Sequence, residues 1–290
     1  MAKGIALCVG LNSVDPNHYG GWSGPLNACE ADANDMAAIA DSQKFQIMKL
    51  LTAEATRDRV LAAIGRAAQT LEKGDIFMFS NSSHGGQLPD QNDEEPDGMD
   101  ETLCLYDGEL VDDELYFALS QFAAGVRVLV YSDSCHSGSA VKEALITSNT
   151  RTRAVPRLGS ETPALVRAMP NEIALRTYQQ NRAFYDAILQ RAEVRNAREN
   201  VKASVILISG CQDNQLSSDG TFNGLFTGTL RRVWNGGKFN GDYRDFHASI
   251  VELMPPDQTP NYFCVGTPSP EFEAQKPFSV NSAPPSSGKK

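Results

Sequence analysis

The sequence predicts an α/β protein with a mainly parallel central sheet and helices on both faces. Apolar, β-rich runs alternate with helix-like stretches over the first 131 residues, which implies strands joined by helical crossovers. Two of those runs, Ile76-Phe77-Met78-Phe79 and Val126-Arg127-Val128-Leu129-Val130-Tyr131, each lead directly into a short string of chemically capable residues. Neighbouring parallel strands would bring both strings to one carboxyl edge, where open α/β sheets place their sites. The composition, 41% hydrophobic and 21% charged, is that of an ordinary globular chain.

Taken in order, residues 5–9 read as a first strand, followed by a long loop and a helix over about 27–40. Residues 46–51 form a second strand. Thr56 caps a helix running to about 72, and Lys73-Gly74 ends it. Asp75 leads into the strand at 76–79. A polar stretch over 85–101 interrupts the pattern before a helix at 112–122 and a strand at 126–131. After Gly138 the pattern lapses for about 40 residues. A helix over 178–198 then places Phe184, Tyr185, Ile188, Leu189 and Ala192 on one face. A strand at 204–209, helices at 222–234 and 243–253, and a late strand at 262–265 complete the set. From Ser279 the Pro- and Ser-rich composition reads as a disordered tail. Residues 1–278 are expected to be one domain.

Several classes are excluded at this stage. No run approaches the roughly 18 apolar residues that span a bilayer, so no membrane partner is expected. Residues 5–9 are too short for a signal core, which points to the cytoplasm, where thiols stay reduced. A net charge of −10 argues against nucleic acid. Cys8, Cys104, Cys211 and Cys264 sit in or beside apolar runs without a C-x-x-C pair and read as small buried hydrophobes.

The two strings are Ser83-His84-Gly85-Gly86-Gln87 and Asp133-Ser134-Cys135-His136-Ser137-Gly138. A thiol beside an imidazole is the minimum equipment for nucleophilic attack on an acyl carbon. His84 and Cys135 stand 51 positions apart, close to the caspase separation of roughly 50. The strings resemble those of the metacaspases and their bacterial relatives, the orthocaspases, over residues 4 to about 228. Ser83 departs from the glycine that most metacaspases carry there. The resemblance implies a caspase–haemoglobinase-like sandwich with large-subunit-like residues 1–138, a linker and helix over 139–200, and small-subunit-like residues 201–278. It implies a monomeric cysteine endopeptidase acting on proteins or peptides. Cys135 would be the nucleophile and His84 its partner, and the N–H groups of Gly85 and Cys135 would form the oxyanion hole.

Two acids fall near this edge. Asp133 precedes Cys135 by two residues and so shares its strand face. Asp32 lies in Cys29-Glu30-Ala31-Asp32, which opens the first helix. In metacaspases the equivalent aspartates line the pocket for the residue before the cut, with the cysteine beside them. Carried over, Asp32, Asp133 and Cys29 would receive Arg or Lys. Two carboxylates in one pocket favour a cation between them, and a guanidinium meets them bidentately. The string from Cys211 to Asp219 resembles the small-subunit loop that walls the cleft, with Asp213, Ser217 and Asp219 as further candidates.

Seven acids crowd residues 90–101, a density that suits a hard cation such as calcium or a solvated acidic loop. Many metacaspases bind activating calcium. The resemblance would assign it to Asp100, Asp112 and Asp113, with Asp97 as an alternative, but the position seven residues after the nucleophile is Lys142 rather than an acid. No other cofactor is expected. The loop 140–170 holds Arg151, Arg153, Arg157 and Arg167. An enzyme that cuts after Arg would process itself there, with Arg151, Arg153 or Arg157 as the expected sites. The competing reading is a catalytically silent caspase-like module that binds partners.

Overall fold

The computed structural model describes residues 1–89, 99–134, 154–155, 164–191, 193–194, 197–211, 218–219 and 223–281. The first strand, β1 (Gly4–Gly10), is followed by α1 (Cys29–Ser42), β2 (Gln46–Leu51), α2 (Arg57–Thr70) and β3 (Ile76–Ser82). Next come β4 (Gly85–Pro89), β5 (Met99–Leu105), β6 (Gly108–Val111), α3 (Asp112–Ser120) and β7 (Arg127–Asp133). The later elements are β8 (Ala154–Val155), β9 (Ala164–Val166), α4 (Asn171–Gln180), α5 (Arg182–Leu189), β10 (Ser204–Ser209) and β11 (Ser218–Asp219). The chain closes with α6 (Leu225–Trp234), α7 (Tyr243–Leu253), β12 (Asn261–Gly266) and α8 (Pro270–Glu273).

Six strands form the central sheet in the order β12-β10-β7-β3-β1-β2. All neighbours are parallel except β12, which runs antiparallel to β10 at the edge. Successive side chains on a strand face opposite ways, and the two cores divide accordingly. Leu7, Val9, Phe77, Phe79, Val128, Val130, Val205 and Leu207 pack on one side with α2 and α3. Ala6, Cys8, Ile76, Met78, Leu129, Tyr131, Ile206 and Ile208 pack on the other with α1, α6 and α7. The predicted α/β class and covered parallel sheet are therefore correct.

Three details differ from expectation. The polar stretch at 85–101 is not a simple interruption: β4, β5 and β6 make a separate antiparallel sheet. Gly85, Gly86 and Pro89 weaken any local strand signal, and a Cβ at Gly86 would lie 2.6 Å from Glu109 Oε2, displacing that buried side chain. The single helix expected over 178–198 is split at Asn181, whose side chain donates to the carbonyls of Thr177 and His18. Phe184 consequently turns outward and is exposed. At the other end, Ser279 and Val280 are not tail: their carbonyls, with that of Gly74, accept from the buried Arg127 guanidinium.

Thr56 caps α2 as expected, accepting from the Arg59 N–H. Arg57 then ties α2 to α3, donating to both oxygens of Glu114 at 2.9 Å and to the carbonyl of Glu109. Both side chains are under 10% exposed. Arg57→Ala is expected to destabilise the fold by about 3–5 kcal/mol, because it strands a buried carboxylate. Urea denaturation checks this; a loss under about 1 kcal/mol would mean that Glu114 reaches water in the variant.

Candidate active site

β3 and β7 pair in parallel with Ser82 opposite Asp133. His84 follows Ser82 by two residues, and Cys135 follows Asp133 by two, although Cys135 itself lies outside the described residues. The long loop after β1 passes over His84. It is held by Tyr19 Oη donating to the Leu105 carbonyl at 2.7 Å and by main-chain bonds from Val14 to Ser23 and from Leu26 to Asn12. This brings the Gly24 carbonyl 3.1 Å from His84 Nε2.

A carbonyl can only accept, so Nε2 carries the proton and Nδ1 keeps its lone pair. Nδ1 is buried and has no hydrogen-bond partner among the described residues. Trp22 packs against the ring at a centroid distance of 4.7 Å. Gly24 has a φ of +51°, and a Cβ there would lie 2.8 Å from Trp22 and 3.0 Å from the imidazole. Burial pushes the His84 pKa down to about 3, the Gly24 bond opposes this, and the Arg167 charge adds to the fall. His84 in this state is a neutral base with one aimed lone pair.

The predicted acid pair exists and is already filled. The guanidinium of Arg167, wholly buried, lies 2.6 Å from Asp32 Oδ2, 3.0 Å from Asp133 Oδ2 and 2.9 Å from Asp219 Oδ1. It also donates to Ser82 Oγ at 2.8 Å and the Asp133 carbonyl at 3.1 Å. The carboxylates are fixed from behind. Asp32 accepts from the Gly224 N–H, Asn223 Nδ2 and Ser82 Oγ. Asp133 accepts from Thr227 N–H and Oγ1, and Asp219 from the Asn27 N–H. Gly224 forms the pocket wall, since a Cβ would lie 2.5 Å from an Arg167 nitrogen.

Three carboxylates around one guanidinium leave an excess of negative charge. Burial and the neighbouring Asp133 raise the Asp32 pKa against the pull of Arg167. Burial disfavours the Arg167 charge, but Asp133, Cys29, Asp32 and Asp219 outweigh it and hold its pKa well above the ordinary value. Cys29 is buried beside this cluster as expected; burial raises its thiol far out of the reactive range.

The main chain of Arg167 is as informative as its side chain. Its carbonyl accepts from the Gly85 N–H at 2.9 Å, and Met169 N–H donates back to the Gly85 carbonyl at 2.7 Å. Upstream, β9 pairs antiparallel with β11, Val166 opposite Ser218 and Leu165 opposite Asp219.

Sequence reasoning missed Arg167 as the pocket's occupant, treating it as one of several loop arginines. It also missed Gly24, Ser82, Asn223, Gly224 and Thr227, which carry no local motif. Asp213, Ser217, Asp97 and Arg151, Arg153 and Arg157 lie outside the described residues. Cys264 is exposed rather than buried, because β12 is the sheet edge.

Asp100, Asp112 and Asp113 lie on β5 and at the start of α3. Burial, then Asp113, Asp100 and Glu101, push the Asp112 pKa well up. Among the described residues, however, no group of three or more His, Cys, Asp or Glu is arranged to hold a metal.

Comparison with known proteins places the chain in a family. The profile of the Peptidase_C14 family, the caspase domain, matches residues 3–278. Metacaspase-1 of Coccidioides immitis is 31% identical over 251 residues, covering 79% of this chain and 53% of the relative. Metacaspase-1A of Aspergillus clavatus is also 31% identical, with 57% of its length covered. The chain thus spans little more than half the length of these curated relatives. The crystal structure of protein GSU0716 from Geobacter sulfurreducens is 58% identical, with a TM-score of 0.84 over 96% of this chain and 99% of that one. Caspase-1 from Spodoptera frugiperda shares the fold at 10% identity, with a TM-score of 0.51 over 91% of this chain and 86% of that one. By sequence profile, by relatives and by the sheet that carries His84, the chain belongs to the caspase-domain family, among its metacaspases and orthocaspases.

Proposed function

We propose that this chain is a cysteine endopeptidase that cuts protein and peptide substrates after Arg or Lys. One observation carries the specificity: a buried ring of Asp32, Asp133 and Asp219 holds a guanidinium beside His84. A lysine ammonium would meet the same charge with fewer donors, so Arg is the better fit. Asp before the cut would place a fourth carboxylate in the ring.

In this reading His84 Nδ1 takes the Cys135 proton, and the thiolate attacks the substrate carbonyl carbon. The carbonyl oxygen gains negative charge against the Gly85 N–H, and the Cys135 N–H is the second donor. The C–N bond breaks as His84 returns the proton to the leaving amine. Water, deprotonated by His84, then hydrolyses the thioester. The β3–β7 register supports the pairing of His84 with Cys135, each two residues beyond the paired Ser82 and Asp133. The reading further takes the enzyme as a cytoplasmic monomer; the five described cysteines are free, and among the described residues no helix is long and apolar enough to cross a membrane.

Calcium is a separate proposal. It rests on the crowding of Asp100, Glu101, Asp112 and Asp113, and no step above passes through the ion. The test of both is a fluorogenic panel with Arg, Lys or Asp before the cut, run with calcium or chelator on wild type and Cys135→Ala. Hydrolysis of Arg faster than Lys, none of Asp and none by Cys135→Ala are expected. A preference for Asp overturns the pocket assignment, and equal rates in chelator remove calcium.

A further inference from the structure

Arg167 places its guanidinium in the acid ring and its carbonyl on the Gly85 amide. We propose that the Arg167–Ala168 peptide bond is a built-in substrate: it blocks the cleft in the intact chain and is the bond the chain cuts in itself. This rests on the cysteine-peptidase reading above and goes further by naming the bond and the sequence preference.

Five observations converge on it. The Arg167 side chain fills the acid ring. Its carbonyl oxygen lies 2.9 Å from the Gly85 N–H, the donor assigned to the developing oxyanion. The preceding residues, β9, are extended and add a strand to β11, the way an extended peptide docks on a sheet edge. The following residue bridges Gly85 in parallel, so the chain crosses beside the string that contains His84. Val166 and Ala168, on either side of Arg167, pack with Cys211, whose Sγ donates to the carbonyl of Ser134, the residue before Cys135. A purely structural arginine would need the acid ring alone. It would not need its own carbonyl on the Gly85 amide or a β-paired lead-in.

The chemistry balances without further reagents than water. Cys135 Sγ bonds to the Arg167 carbonyl carbon, the bond to Ala168 N breaks, and His84 delivers the proton to that nitrogen. Water then converts the thioester to the Arg167 carboxylate and restores the thiol. The new carboxylate adds negative charge beside a ring already in excess, which favours its departure. On the other side Ala168 stays tethered. Met169 is buried with Val14, Tyr19 and Cys104, and α5 is anchored by Tyr185, Ile188 and Leu189. A cavity of about 360 Å³ between β4 and α4 flanks Ala168 and Met169, leaving the new amino terminus room beside the string. The strand that leaves reads Ala164-Leu165-Val166-Arg167, which is therefore the preferred substrate sequence.

The test uses full-length wild type, Cys135→Ala, Arg167→Gln and Ala168→Pro. Removing Arg167 leaves three carboxylates facing one another, so that variant alone is insufficient. Ala168→Pro keeps the Arg167 side chain and substitutes nothing in the acid ring. The bridge uses the N–H groups of Gly85 and Met169, not that of Ala168, so proline breaks no bond there but makes the target a tertiary amide. Intact mass, amino-terminal sequencing and hydrolysis of acetyl-Ala-Leu-Val-Arg-aminomethylcoumarin are read together. Wild type should yield fragments 1–167 and 168–290, the second beginning Ala-Met-Pro, with activity rising as they form. Cys135→Ala, Arg167→Gln and Ala168→Pro should stay whole at this bond. Ala168→Pro should hydrolyse the reporter at least about 10-fold more slowly than cut wild type, since a tethered competitor acts at an effective concentration near millimolar. Wild type that hydrolyses the reporter with the 167–168 bond intact, or Ala168→Pro as active as wild type, overturns the inference while the peptidase reading stands. Absence of both fragments and hydrolysis removes the two together.

Discussion

His84→Ala is expected to lower kcat/KM on arginyl peptides by about 10²–10⁴-fold, the usual worth of a positioned acid–base group. The Gly24 carbonyl fixes the tautomer, so the variant loses both the base that takes the thiol proton and the acid that protonates the amine. The same substitution should flatten the acid side of the stability curve. The folded pKa is about 3, against 6.5 for the unperturbed group. As pH falls from about 6.5 towards 3, the unfolded chain takes up the proton first. Stability is therefore lost on acidification by about 1.4 kcal/mol per pH unit from this group alone. Urea midpoints between pH 7 and pH 5 should fall less in His84→Ala than in wild type. Superimposable slopes would show that the ring is not held neutral.

Asp32→Asn is expected to reduce arginyl hydrolysis by about 10²–10³-fold, corresponding to about 3–4 kcal/mol for breaking a buried ion pair. Asparagine retains the acceptor for Gly224 N–H and Asn223 but turns an amide towards the guanidinium. The measurement is kcat/KM on matched arginyl and norleucyl reporters. A fall confined to the arginyl reporter marks the pocket; equal falls on both would mean general damage to the helix start and would remove Asp32 from specificity.

How far the fold could be read from sequence depended on local signal. The strands Gln46–Leu51 and Ser204–Ser209 and the helix Tyr243–Leu253 occur where the periodicity places them. β3 runs three residues further than its apolar stretch. Its continuation Ser80-Asn81-Ser82 is polar, yet it stays in register with Cys8, Val9 and Gly10 of β1. Those polar residues sit at the carboxyl edge because the site needs them: Ser82 Oγ bridges Arg167 and Asp32. The acid pair was legible through strand alternation and the helix start. The pocket's remaining walls were not, since Asn223, Gly224 and Thr227 reach Asp32 and Asp133 from far along the chain. Arg167 was hidden for a different reason. A charged residue in a Pro- and Ser-rich loop reads as solvated, and only three converging carboxylates make its complete burial tolerable.

The ladder between β7 and β10 holds six consecutive partner pairs, from Arg127 with Ser204 to Ser132 with Ser209. One strand precedes the Arg167–Ala168 bond and the other follows it. Arg127 adds a clasp from the first stretch to the carbonyls of Ser279 and Val280 in the second. Scission at the rim would therefore leave two polypeptides sharing one sheet and the cores on both of its faces. The two pieces would then hold together as a tight heterodimer, parting only when denaturant melts the shared sheet.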